Sequence, residues 1–142
     1  MIGTSSNECE ETGLPPPLVL ELQRNVEAPG IARAAVTELS QDAGLSGSTF
    51  QTLVLLVSEV VSNAVLHSKG PAHAVIKLTA KVSRDAVHIS VTDAGGGFVP
   101  KQRDPASMHD GYGLYLVDKA ASRWGVDSSG PTSVWFELPR TA

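Results

Sequence analysis

The chain has 142 residues, room for one domain. Hydrophobic residues make up 42%, which excludes a disordered composition and predicts a packed core. The net charge of −4, with no basic block, excludes the electrostatic footprint of a nucleic-acid surface, and the single Cys9 excludes an internal disulfide.

Residues 1–17 are polar, acidic at Glu8, Glu10 and Glu11, and end in three prolines, Pro15 to Pro17. A disordered head is expected there. It has neither the basic start nor the apolar stretch of a signal peptide. The longest apolar run, Leu53–Val57, is too short to cross a bilayer. A soluble cytoplasmic protein with no membrane partner is expected.

Leu18, Leu20 and Leu22 alternate with Val19, Glu21 and Gln23, a strand signal. Pro29 then stands where a helix can begin, and Ile31, Ala35, Leu39 and Ala43 recur every fourth residue. Gly44 is its expected C-terminal stop. Ser48 and Gln51 have capping-box spacing. Behind them, Leu53, Leu56, Val57, Val60, Val61, Ala64 and Val65 form one broad apolar helical face. Ala74, Ile76, Leu78, Ala80 and Val82 alternate as a strand. Ser83-Arg84-Asp85 is a tight connection to a second strand through Val87, Ile89 and Val91. A helix is expected from Gly113 to Trp124, with Leu116, Val117, Ala120, Ala121 and Trp124 on one face and Gly125 as its cap. A further short strand is possible near Val126, and Val134, Phe136 and Leu138 give the last strand. The expected fold class is α/β (α+β), a two-layer sandwich over residues 18–142. About three helices would cover one face of a mixed, mostly antiparallel sheet.

Three features carry chemistry. Glu59, Asn63 and His67 lie four apart on the long helix, on a stripe that borders its apolar face. An Asn oxygen is a hard ligand suited to magnesium, and a Glu one turn earlier can accept a proton from an attacking hydroxyl. The same spacing also suits a solvated helix face. Next, Asp93 ends a strand and is followed by Gly95, Gly96, Gly97 and Phe98. A carboxylate there accepts only from N–H or O–H donors, which suits the exocyclic amine of adenine; a plain flexible turn fits equally. Last, Gly111-Tyr112-Gly113-Leu114 opens the third helix and leaves first-turn N–H groups for an anion, or is an ordinary helix start. No G-x-x-x-x-G-K-[ST] or G-x-G-x-x-G motif is present, and the histidines and Cys9 lack metal-ligand spacing.

In this order, the E-x-x-x-N-A helix (Ser58–Ala64), the D-x-G-x-G loop (Asp93–Gly97) and the G-x-G-L helix start resemble the boxes of the GHKL (Bergerat-fold) ATPase superfamily. The chain looks most similar to small anti-sigma factor serine kinases. The likeness runs through Ser58–His67, Gly113–Asp118, Arg123–Val126 and Val134–Leu138. The resemblance implies ATP and Mg²⁺ as ligands, Asn63 as the Mg²⁺ residue, Glu59 as catalytic base and Asp93 as the adenine residue. Gly95, Gly97, Gly111 and Gly113 would shape pocket and lid, and Ser133 would stand where relatives carry a Thr at the adenine end. Lys101, Arg103 and His109 are the lid's cations, with nothing to choose between Lys101 and Arg103. The chain has no length left for a phosphoacceptor hairpin, so the acceptor would be a serine or threonine on a STAS-type partner. A nucleotide-gated interaction module with little chemistry is the alternative. A sigma factor is a second implied partner, met by the first helix with Arg33, and homodimerisation is common in the family.

Overall fold

The computed structural model describes residues 14–45, 47–67, 75–93, 113–127 and 131–140. The elements run β1 (Leu18–Gln23), α1 (Ala28–Ala43), α2 (Gly47–His67), β2 (Val75–Val82), β3 (Ala86–Asp93), α3 (Gly113–Ala120), β4 (Arg123–Asp127) and β5 (Ser133–Pro139). The five strands lie in the order β1-β2-β3-β5-β4. All four pairings are antiparallel, so the described sheet is not mixed.

The sheet's inner rows are the alternating apolar residues of each strand. Ile76, Leu78, Ala80 and Val82 pack beside Val87, Ile89 and Val91, and these beside Val134, Phe136 and Leu138. Above them lies the apolar face of α2, with Leu53, Leu56, Val57, Val60, Val61 and Ala64 buried. This helix is long and apolar enough to cross a membrane by composition, but here that apolar surface is the core of the domain. Burial of so many aliphatic side chains, each contributing roughly 1.5–3 kcal/mol, is what fixes α2 on the sheet.

Helix α1 buries Ala28, Ala32, Val36, Leu39 and Ser40. The expected stripe through Ile31 is therefore rotated, and Ile31 is 51% exposed. Small residues at 28 and 32 let the first turns of α1 approach the core closely, which turns Ile31 outward. Gly44 closes the helix with φ of 67°, and its amide donates to the Gln41 carbonyl. Helix α2 begins at Gly47, one residue ahead of the expected Ser48 cap.

The third helix differs most from expectation. It ends at Ala120, and Trp124 and Gly125 belong to β4 rather than to a helix end and its cap. Helical spacing and strand alternation both fit Leu116 to Val126, and pairing with β5 decides between them. The Ser122 amide and hydroxyl both donate to the Glu137 carbonyl, and Gly125 sits opposite Trp135. Gly125 is needed there for space. A Cβ would stand 2.9 Å from the Trp135 indole nitrogen.

Among the described residues, the opposite face of the sheet carries no helix. Trp135 lies on it, stacked at 5.5 Å with the His88 ring, and His88 Nδ1 is 3.0 Å from Glu137 Oε2.

The two glycines at the α1–α2 corner should respond with opposite signs. Gly44→Ala forces a Cβ into left-handed backbone and should lower unfolding free energy by about 1 kcal/mol. Gly47→Ala meets open space at a helical position and should raise it by about 0.5 kcal/mol or more. Urea denaturation of both variants checks this.

Candidate nucleotide-binding site

Asn63 stands seven residues after Leu56 and three after Val60, inside the apolar stripe of α2. It is only 3% exposed, and its Oδ1 has no hydrogen-bond partner among the described residues. A buried acceptor left unpaired costs roughly 1–3 kcal/mol. An acceptor left over in this way is open to a water or to a ligand. Glu59, one turn earlier, and His67, one turn later, are half-buried at the border of the same stripe.

Asp93 is the last residue of the inner row Val87, Ile89, Val91 and is fully buried. It faces Ile76 across β2, and its amide donates to the Thr132 carbonyl at 3.0 Å. The row that holds the core together therefore ends in a carboxylate on the helix-bearing side. Thr132 is 8% exposed and has the same parity as Val134, Phe136 and Leu138. It places a hydroxyl-bearing side chain beside Asp93 on that side.

Ser133 is a correction. Strand alternation turns it to the helix-free face, where its Oγ lies 3.0 Å from both Ser90 Oγ and Thr92 Oγ1. The residue on the Asp93 side is Thr132, which sequence reasoning passed over. Counting back by two from Val134 would have found it.

Gly113 is the first residue of α3, where unpaired helical N–H groups favour an anion. Leu114 follows in that helix. Gly95, Gly97, Phe98, Lys101, Arg103, His109, Gly111 and Tyr112 lie outside the described residues. Arg33 is exposed on α1, and its Nη1 donates to Ser58 Oγ at 2.8 Å, one residue from Glu59. Clefts lined by Ser48 and Ala120, by Pro15–Pro17 and Glu38, and by Gly44 and Phe50 are open elsewhere on the surface. None of these three is lined by Glu59, Asn63 or Asp93.

The donor set fits magnesium of one kind. Among the described residues no three His, Cys, Asp or Glu side chains gather to hold a metal alone. One buried amide oxygen is what a cation needs when phosphate oxygens and waters supply its other ligands.

A family model described as a histidine kinase-like ATPase domain matches residues 22–137. The chain belongs to this family. Membership assigns ATP as its ligand. No curated protein matches. Among solved structures, the RsbU and RsbW domains of Rv1364c from Mycobacterium tuberculosis are similar to it, with a TM-score of 0.68 and 24% identity. The match covers 87% of this chain and 32% of that one, so this chain spans about a third of its length. The likeness establishes a shared fold.

Asn63→Ala tests whether the Asn63 oxygen serves a ligand or only the scaffold. It removes an oxygen without a partner, so the nucleotide-free variant should unfold within about 1 kcal/mol of the parent. Nucleotide at one hundred times its dissociation constant should stabilise the parent by about 2.7 kcal/mol. The part of that gain that needs Mg²⁺ should vanish in the variant. Thermal melts with ATP, with and without Mg²⁺, measure it.

Proposed function

We propose that the chain is an ATP-dependent protein serine/threonine kinase of the anti-sigma-factor type. Its acceptor would be a hydroxyl on a small STAS-type antagonist protein. The observation that carries this reading is the pairing of half-buried Glu59 with the orphaned Asn63 oxygen one turn away on the same helix. A protein that only holds nucleotide needs the second residue. Phosphoryl transfer gives the first something to do.

In this reading Asp93 accepts from the adenine amine, with Thr132 beside it. The N–H groups at the Gly113 helix start face phosphate oxygens. Asn63 Oδ1 holds Mg²⁺, which when bound offsets charge on the phosphates. Glu59 takes the proton from the acceptor hydroxyl as that oxygen bonds to the γ-phosphorus. The bond from the γ-phosphorus to the β-bridging oxygen breaks, and ADP leaves with its electron pair. Lys101 or Arg103 supplies the lid cation that stabilises this charge. Little covalent chemistry falls to the protein, so placement and electrostatics carry the rate.

The exposed face of α1, with Arg33 tied beside Glu59, is the partner surface in this reading, for the antagonist or a sigma factor. The protein would then act in the cytoplasm as a regulator of transcription, alone or as a homodimer.

Glu59→Gln tests the base. Transfer of labelled γ-phosphate to a STAS-domain acceptor should fall by about 10²-fold or more. ATP affinity should change by less than about threefold, since the amide keeps the side chain's shape. Unchanged transfer overturns the assignment. ATP binding by the parent with no transfer to any acceptor leaves a nucleotide-gated binding module in its place.

A further inference from the structure

Ser133, turned away from the helices, sits among hydroxyls. Thr92 Oγ1 donates to Ser133 Oγ at 3.0 Å, and Ser90 Oγ shares a second 3.0 Å bond with it. Thr92 and Ser133 are cross-strand partners in the ladder between β3 and β5. They are also the immediate chain neighbours of Asp93 and Thr132, the two polar residues on the other face. Strand alternation makes this relation strict: fixing one face of residues 92 and 133 fixes the other face of 93 and 132.

The location matters because both strands stop here. Strand β3 ends at Asp93 and β5 begins at Ser133. The Thr92–Ser133 pair is the last in the β3–β5 register; beyond it the amide of Asp93 donates to the Thr132 carbonyl, and Asp93 also stands opposite Ile76 of β2. Ladder ends fray, because a terminal pair has support on one side only. Asp93 is fully buried, so a frayed end would move a carboxylate within a packed interior. Further in, the same outer face is held by bulk, with Trp135 over Gly125 and the His88 ring against it. At this end three small hydroxyl side chains do the holding instead.

We propose that Ser133 is a positioning residue. Its hydroxyl clamps the open end of the β3–β5 ladder and so holds the Asp93 carboxylate in place for the adenine amine. The role rests on the proposed nucleotide site, and Ser133 itself touches no nucleotide. Thr92 is the donor half of the clamp, and Ser90 steadies the acceptor from the core side.

The test uses the full chain and reads the clamp and the nucleotide separately. In amide exchange without nucleotide, Ser133→Ala and Thr92→Val should each speed exchange of the Asp93 amide by about fivefold, the worth of one hydrogen bond. Central β3 amides such as Ile89 should stay unchanged. Ser133→Thr keeps the hydroxyl and should restore parental exchange. Ser90→Ala leaves the Thr92–Ser133 bond intact and should have under half the effect. With ATP, Ser133→Ala should raise KM about fivefold and leave kcat unchanged. Unaltered Asp93 exchange in Ser133→Ala overturns the clamp. So does a uniform loss of protection along β3, which marks general sheet weakening. Failure of the parent to bind ATP at all is a different result: it removes the nucleotide site, whereas the exchange data still decide whether Asp93 is clamped.

Discussion

One packing relation governs this molecule: the apolar face of α2 lies against the inner rows of an antiparallel sheet, and both surfaces carry a polar residue into the contact. On the helix it is Asn63, in a stripe that otherwise reads Leu, Val and Ala. On the sheet it is Asp93, where the β3 row of Val, Ile and Val ends. The hydrophobic effect sets the distance between helix and sheet, and that distance decides how far these two polar groups stand from each other and from solvent. An amide oxygen left unpaired among the described residues costs stability in a dry interior, and the aliphatic contact around it is large enough to offset that cost.

The two faces of the sheet divide the work. Inner side chains pack on helices, and at one end of the sheet they include Asp93 and Thr132. Outer ones interlock among themselves through Trp135 over Gly125, the His88–Glu137 pair, and the hydroxyls of Ser90, Thr92 and Ser133. Arg123, 3.4 Å from Glu137, joins that network from β4. Positional precision on the inner face is therefore maintained partly from the outside, through strands that alternate sides with every residue.

Much of this was legible in the chain. Strict alternation in β2, β3 and β5 and the apolar face of α2 named most of the core. Glu59, Asn63 and Asp93 are legible as site candidates from spacing and from their places at a helix border and a strand end. Other features were not legible, for physical reasons. The Trp124–Val126 stretch satisfies helical and strand periods alike, and only its pairing with Glu137 and Trp135 settles it as β4. Ile31 fits a four-residue repeat, yet the small residues Ala28 and Ala32 take the core side of α1. The resemblance places Ser133 at the adenine end, whereas strand parity turns Thr132, not Ser133, to the Asp93 side. The orphaned state of the Asn63 oxygen is a tertiary fact, since no pattern in one helix shows what faces it across an interface. Gly95, Gly97 and Gly111 lie outside the described residues, and their part is what the resemblance implies.

Isothermal titration with ATP and with GTP, each with Mg²⁺, tests the central claim most directly. A carboxylate at the base edge accepts from the adenine amine but meets the guanine carbonyl acceptor to acceptor. Saturable one-site binding of Mg-ATP, with GTP weaker by about tenfold or more, is the result expected from a buried Asp93. No heat with either nucleotide, or equal affinity for both, would contradict a nucleotide site built on Asn63 and Asp93.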